Sequence, residues 1–178
     1  IIEALELAQK VKRPVKVVWT REDDIQHGFY HSISANYLKA QVTPEKGADF
    51  WLQRVTYPPI GWLFNDKQDR PNDNDLSLGF GDLPFELNNL MCETQTVTTH
   101  IRTGWVRSVA CINNGFALGS FVDELAVKAN VPTRQMWLNL LGEDRMVDVK
   151  AEGFNYSNYG MDYSTHPIDV KRMRSLIN

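Results

Sequence analysis

The sequence predicts an α+β fold in which helices pack on a twisted, mainly antiparallel sheet. Two observations carry this prediction: apolar residues recur at helical spacing near both ends of the chain, and they alternate with polar residues between them. Apolar residues make up 43% of the 178 residues and charged residues 23%, the composition of an ordinary globular protein.

The first predicted helix spans residues 2–11, where Ile2, Leu5, Ala8 and Val11 form one stripe. Pro14 should end it, and the valine-rich residues 15–19 then predict a short buried strand. Thr20 followed by Asp23 resembles a capping box, so residues 21–27 are expected to form a short helix or turn.

Alternation over residues 32–43 and 49–57 predicts two strands joined by a hairpin turn at residues 44–49. Residues 65–75 contain only polar residues and one proline, so we expect a mobile surface loop there. Its Asp and Asn density invites comparison with a calcium loop, but the glycine and closing glutamate of an EF-hand are missing. The Thr-rich residues 93–101 predict the last strand of the sheet.

The C-terminal third is expected to be mainly helical. A helix capped by Asn113 or Asn114 should bury an apolar stripe that comprises Leu118, Phe121, Val122, Leu125 and Ala129. A second helix should start near Pro132 and Thr133.

Residues 153–167 are rich in Gly and aromatic residues and predict a loop. This loop could line a substrate funnel, but we favour a packed cover or an intersubunit contact.

Composition excludes several function classes. The net charge of −3 and a pI near 5.8 argue against nucleic acid as a main partner. No apolar run is long enough to cross a bilayer. Cys92 and Cys111 cannot form a structural zinc site alone; each is expected to be a buried thiol, although a disulfide between them stays open.

The turn at residues 103–110 is the strongest candidate for a functional site. Arg107 lies between a predicted strand and a helix, where its guanidinium could bind a carboxylate or phosphate beside the helix N-terminus. Alternatively, Arg107 braces the loop through a buried ion pair.

Two blocks of the sequence resemble the molybdopterin-binding large subunit of the molybdenum hydroxylases, the xanthine dehydrogenase and aldehyde oxidoreductase superfamily. The first, residues 103–126, matches the family's Trp-Arg-Ser-Val turn and its Phe-rich helix with Asp-Glu-Leu-Ala. The second, residues 13–30 (RPVKVVWTREDDIQHGFY), is similar to a strand-turn segment of the family. Within the superfamily, the nearest resemblance is to the branch of the isoquinoline 1-oxidoreductase beta subunits. The resemblance implies that Trp105, Arg107 and Ser108 bind the molybdopterin cofactor.

The resemblance also sets the expected organisation. The chain is expected to be an internal fragment of a molybdopterin-binding domain, truncated at both ends, because the family's Gly-rich cofactor loop and its Gly-x-Gly-Glu segment with the catalytic Glu are absent. No catalytic base and no metal ligand can therefore be assigned. The expected parts are a helix with strands and hairpin at 1–60, an irregular polar region at 61–92, a strand, turn and helix pair at 93–142, and a loop with a truncated helix at 143–178.

The implied activity is oxidation of an aldehyde or an N-heterocycle with oxygen derived from water. Electrons would leave through an iron–sulfur small subunit, and the enzyme would be periplasmic or membrane-associated, with the cytoplasm as the other option. The isolated fragment would then be inactive and hold no cofactor. The competing hypothesis is a non-catalytic structural or protein-interaction domain.

Overall fold

The structure is a computed structural model that describes residues 1–178. It confirms the α+β class. Six helices accompany a three-stranded sheet and a two-stranded one. The helices are α1 (Ile2–Val11), α2 (Arg21–His27), α3 (Asp73–Leu76), α4 (Cys111–Ala129), α5 (Thr133–Leu141) and α6 (Val170–Ile177). The strands are β1 (Ala35–Thr43), β2 (Gly47–Thr56), β3 (Asn89–Thr94), β4 (Met146–Val147) and β5 (Ile168–Asp169).

The main sheet has the order β1-β2-β3 and is mixed. β1 and β2 form the expected antiparallel hairpin, with Tyr37 opposite Arg54 and Ala40 opposite Trp51. Gly47 closes its turn at φ +81°, a conformation that glycine adopts without strain. β3 pairs with β2 in the parallel direction, because the chain returns through the long crossover of residues 57–88 before it re-enters the sheet.

The strand prediction at residues 15–19 is wrong, and the one at residues 93–101 holds only for its first two residues. Residues 15–19 pair with no strand, and the indole of Trp19 donates a hydrogen bond to Glu3 of α1 at 2.9 Å. Of residues 93–101, only Glu93 and Thr94 belong to the sheet. Thr94 lies opposite Val55 near the end of β2, and the prolines that follow β2 offer no further amide donors for pairing.

Residues 61–92 also differ from an irregular polar loop region. Asn72 and Asp75 form a reciprocal capping box that starts α3 inside the acidic segment, and Asp75 is buried. Farther along the crossover, Leu78 and Phe80 are buried in a small core cluster with Val55, Tyr57 and Ala110. The apolar residues of this crossover therefore anchor the polar segment to the sheet.

The main core lies between the sheet and the C-terminal helices. α5 packs against α4, α6 and β2, and α4 also packs on β1. Trp51 of β2 is fully buried in this core. The other buried members are Ala48, Leu83, Phe85, Leu118, Val122, Leu125, Ala126, Met136, Leu140, Leu141, Val147, Val149, Tyr156 and Val170.

The start of α4 corrects the predicted cap. The helix begins at Cys111, and Ala110 at the N-cap position provides no side-chain acceptor. Asn113 and Asn114 lie inside the helix, where their amide groups bond other segments: Asn113 donates to the Ser32 carbonyl at 2.8 Å and Asn114 to the Leu78 carbonyl at 3.0 Å. These two side chains tie α4 to the neighbouring segments and leave its own N-terminus open.

No helix is both long and apolar enough to cross a membrane.

Candidate functional site

The two sequence blocks that are far apart in the chain meet in the structure. The Tyr30 amide donates to the Arg102 carbonyl at 2.8 Å, and the Gly104 amide donates to the Tyr30 carbonyl at 3.1 Å. The two bonds form a parallel bridge between Tyr30 and Thr103. The segment after α2 therefore runs directly beside the turn that carries Arg107.

Side chains reinforce this bridge. Phe29 packs on Gly104 so closely that a Cβ at position 104 would lie 2.7 Å from the Phe29 Cβ, so only glycine fits there. The Arg102 guanidinium donates to the carbonyls of Gln26 and His27 at the end of α2, the second at 2.9 Å. A cation at a helix C-terminus is also favoured by the helix dipole.

The turn that follows has an unusual backbone. Ser108 and Val109 adopt φ values of +71° and +45°, in the left-handed region. That conformation costs a non-glycine residue on the order of 1–2 kcal/mol, and a β-branched valine rarely adopts it. Hydrogen bonds from the Val109 amide to the Val106 carbonyl and from the Cys111 amide to the Ser108 carbonyl hold the turn. Strain of this kind concentrates at functional sites, which supports the choice of this turn.

The N-terminus of α4 presents free donors directly behind the turn. The Cys111 amide bonds to Ser108, and the Asn114 amide bonds to Ala110. Between them, the amides of Ile112 and Asn113 have no hydrogen-bond partner, and no side chain caps the helix. Free N–H groups and the positive end of the helix dipole together favour an anion.

The structure places the three predicted site residues, Trp105, Arg107 and Ser108, on one exposed turn. Arg107 makes no hydrogen bond and no ion pair, so the buried ion-pair alternative is not what the structure contains. The Trp105 ring packs against Phe64, with 5.5 Å between the ring centroids, and 56% of the residue remains exposed. The guanidinium of Arg107 is thus available to a ligand.

A half-buried carboxylate that the sequence did not single out, Asp82, lies near the start of α4. Asp82 accepts hydrogen bonds from the amides of Gly79 at 2.7 Å and Phe80 at 3.1 Å, while burial raises its pKa. Partial desolvation raises the pKa of the Cys111 thiol although the residue is largely exposed, and the Asp82 charge adds to that shift. No spacing pattern marks Asp82, because its position depends on the fold of the crossover.

The aromatic loop reaches the same place. The hydroxyl of Tyr159 lies beside the Cys111 thiol and partly opposes the rise of its pKa. Tyr159 is exposed, whereas Tyr156 is buried in the main core and Phe154 packs against Gly81. Phe154 and Tyr156 therefore pack against the rest of the fold, while most of the loop, including Tyr159, is exposed.

Both cysteines have free thiols. Cys92 is half-buried and its sulfur contacts the Phe80 carbonyl at 3.7 Å, while Cys111 is exposed at the first position of α4. The expectation of a buried thiol thus fails for Cys111. No group of three or more His, Cys, Asp or Glu side chains is arranged to hold a metal ion.

Comparison with known proteins adds one similarity. No protein-family model matches the chain, and no solved structure matches it. The chain is 27% identical over 168 residues to one of the subunits of nicotinate dehydrogenase from Pseudomonas putida. The match covers 84% of this chain but only 13% of the relative's length. The chain is therefore similar to one part of a much longer oxidoreductase polypeptide.

Proposed function

We propose that this chain is part of the large subunit of a molybdenum hydroxylase that oxidises an aldehyde or an N-heterocycle with oxygen derived from water. The observation that carries the proposal is the contact between residues 28–31 and the 103–110 turn, because it joins the two blocks that resemble this family. The similarity to nicotinate dehydrogenase supports it, since nicotinate is an N-heterocycle.

The donor set of the turn suits molybdopterin, which carries a phosphate group. Arg107 offers a guanidinium with no protein partner, and the amides of Ile112 and Asn113 are free at the start of α4. In this proposal Arg107 and Ser108 bind the anionic part of the cofactor, and Trp105 forms an apolar wall beside it. The bound cofactor would supply the redox-active metal centre; this chain's residues bind and orient it.

Other parts of the enzyme belong to the same proposal. No residue of this chain is assigned as the general base, so the base would come from another part of the large subunit. An iron–sulfur small subunit would accept the electrons. By analogy with the family, the enzyme would be periplasmic or membrane-associated, or else cytoplasmic.

Replacing Arg107 by alanine in the native polypeptide, purified with its partner, tests the proposal. Loss of one charge-assisted contact removes roughly 1.5–3 kcal/mol, which corresponds to about a 10- to 150-fold weaker cofactor affinity. We expect Arg107→Ala to lower molybdenum and pterin content and turnover, while the melting temperature of the cofactor-free polypeptide stays unchanged. Arg172→Ala is the matched control, because Arg172 is also exposed and its side chain has no partner. Wild-type cofactor content and turnover in Arg107→Ala would refute the assignment.

A non-catalytic interaction domain is the second candidate, favoured by one observation. Residues 1–31 contain no buried residue, and residues 1–33 hold nearly half of the exposed large hydrophobic side chains of the chain. Such a surface is typical of a protein contact. A native polypeptide that is purified with its partners and contains neither molybdenum nor pterin would favour this candidate.

A further inference from the structure

An open groove of about 820 Å³ runs between β1 and the N-terminal half of α4. It begins beside the candidate site, where Asn113 of α4 bonds the Ser32 carbonyl just before β1. Its walls are mainly apolar and include Ile33, Tyr37, Leu38, Ile112, Phe116 and Phe121. Phe116 leaves 77% of its surface exposed, so the groove holds a large aromatic side chain that no part of this chain covers.

The groove follows the free edge of the sheet. β1 is an edge strand that pairs only with β2. Asn36 and Leu38 point to the α4 side of the sheet and Tyr37 points to the opposite side, yet all three line the groove. The groove therefore lies along the edge of β1 that has no partner strand. The backbone groups of β1 that point away from β2 are therefore available for hydrogen bonds.

A polar group at the groove wall also lacks a partner. The Asn36 amide nitrogen donates to the Ser34 hydroxyl at 3.1 Å, but its side-chain oxygen is buried and accepts no hydrogen bond. A buried acceptor of this kind is rare in a complete protein interior.

We propose that an extended, apolar segment of the same large subunit, from outside residues 1–178, lies in this groove and adds a strand to β1. The proposal rests on the proposed function, in which this chain is one part of a longer polypeptide. The length of the relative supports it, since this chain matches only 13% of that polypeptide. An edge strand with pockets for alternate side chains selects an extended partner, because main-chain bonds and spaced side chains are satisfied together.

Photo-cross-linking in the native polypeptide tests which chain occupies the groove. A benzophenone amino acid replaces Phe116 in one variant and Val127 in the control, since Val127 is equally exposed on α4 but lies outside the groove. We expect the probe at 116 to cross-link to a peptide of the same polypeptide outside residues 1–178, and the probe at 127 to give a different peptide or none. A cross-link to a second copy, a cross-link to another protein, or no cross-link at 116 would each overturn the proposal.

Amide exchange tests whether the occupant is a strand. The amides of β1 that point away from β2 should exchange at least about tenfold more slowly in the native polypeptide than in the 178-residue chain, since each would gain a backbone hydrogen bond. Equal exchange rates would show that no strand is added, even with a same-chain cross-link. Measuring molybdenum in the same preparation distinguishes the failure of one proposal from the failure of the other. If the polypeptide contains molybdenum but the probe at position 116 cross-links to a different partner, only the groove proposal is overturned.

Discussion

Phe121 connects α4 to the centre of the core. Its ring lies edge-on to the fully buried Trp51 of β2, with 5.1 Å between centroids, and Trp51 meets Phe85 at 5.4 Å in the same way. Phe121 itself is half-buried, because its outer edge faces the β1–α4 groove. Edge-to-face aromatic pairs add about 0.5–1.5 kcal/mol to the gain from burial.

We expect Phe121→Ala to destabilise the chain by roughly 3 kcal/mol, the lower end of the range for buried phenylalanine, because part of the ring is already exposed. Denaturant unfolding measures the change. Lys128→Ala, at an exposed position of the same helix, should stay within about 0.5 kcal/mol of wild type. Asp123→Ala should cost more than Lys128→Ala, since Asp123 accepts a hydrogen bond from the Thr133 hydroxyl. An unchanged midpoint for Phe121→Ala would contradict the packing described here.

The Asp82 side chain should make the stability of the fold depend on pH. Burial raises its pKa above the ordinary value of 3.8, so the folded state holds the Asp82 proton more tightly than the unfolded state does. Ionisation therefore weakens the fold as pH rises from the unfolded pKa through the folded one. We expect Asp82→Asn, whose side-chain oxygen can still accept from Gly79 and Phe80, to melt at a higher temperature than wild type at pH 7. The difference should vanish at a pH below the ordinary value of 3.8, and a lower melting temperature for the variant at pH 7 would refute the argument.

At the scale of elements, the N-terminal helices differ from the rest of the fold. Neither α1 nor α2 buries a residue, and the segment is held mainly by the Tyr30–Thr103 bridge and the Arg102 contacts. α4 and α5, in contrast, bury nine residues between them. A ten-residue helix without tertiary packing is marginal in water.

We therefore expect the amides of α1 to exchange nearly as fast as those of an unfolded peptide, while the amides in the middle of α4 stay protected. Hydrogen exchange followed by mass spectrometry at several protein concentrations measures this. Protection of α1 that equals that of α4 would contradict the prediction. If such protection grows with concentration, self-association covers the helix.

At the scale of the whole molecule, the candidate site is one exposed turn and not a closed pocket. Trp105, Arg107 and Ser108 are all exposed, and no general base is assigned. We expect the purified 178-residue chain to contain no stoichiometric molybdenum and to oxidise neither aldehydes nor N-heterocycles. Metal analysis and an activity assay test this, with the native polypeptide and its partner as the positive control. Stoichiometric molybdenum in the chain alone would show that the turn is sufficient for binding.

Several features of the fold follow from local sequence. The helix at residues 2–11, the capping box of Thr20 with Asp23, and the hairpin of β1 and β2 agree with the structure. Each depends on side-chain spacing, on a cap within three residues or on a tight turn. The sequence motif also singles out the turn with Trp105, Arg107 and Ser108 as the candidate site. That these residues bind the cofactor stays a prediction.

Other features depend on contacts between distant residues. Residues 15–19 have strand-forming composition but no partner strand, and β3 ends at Thr94, which lies opposite Val55 one residue before the end of β2. The half-buried position of Asp82 depends on the crossover, and the approach of Tyr159 to Cys111 depends on the aromatic loop. Local sequence by itself determined the helix at residues 2–11, the capping box of α2 and the β1–β2 hairpin, because their energies come from neighbouring residues. Only the tertiary structure decided which strands pair and which groups meet, because those energies come from segments brought together by folding.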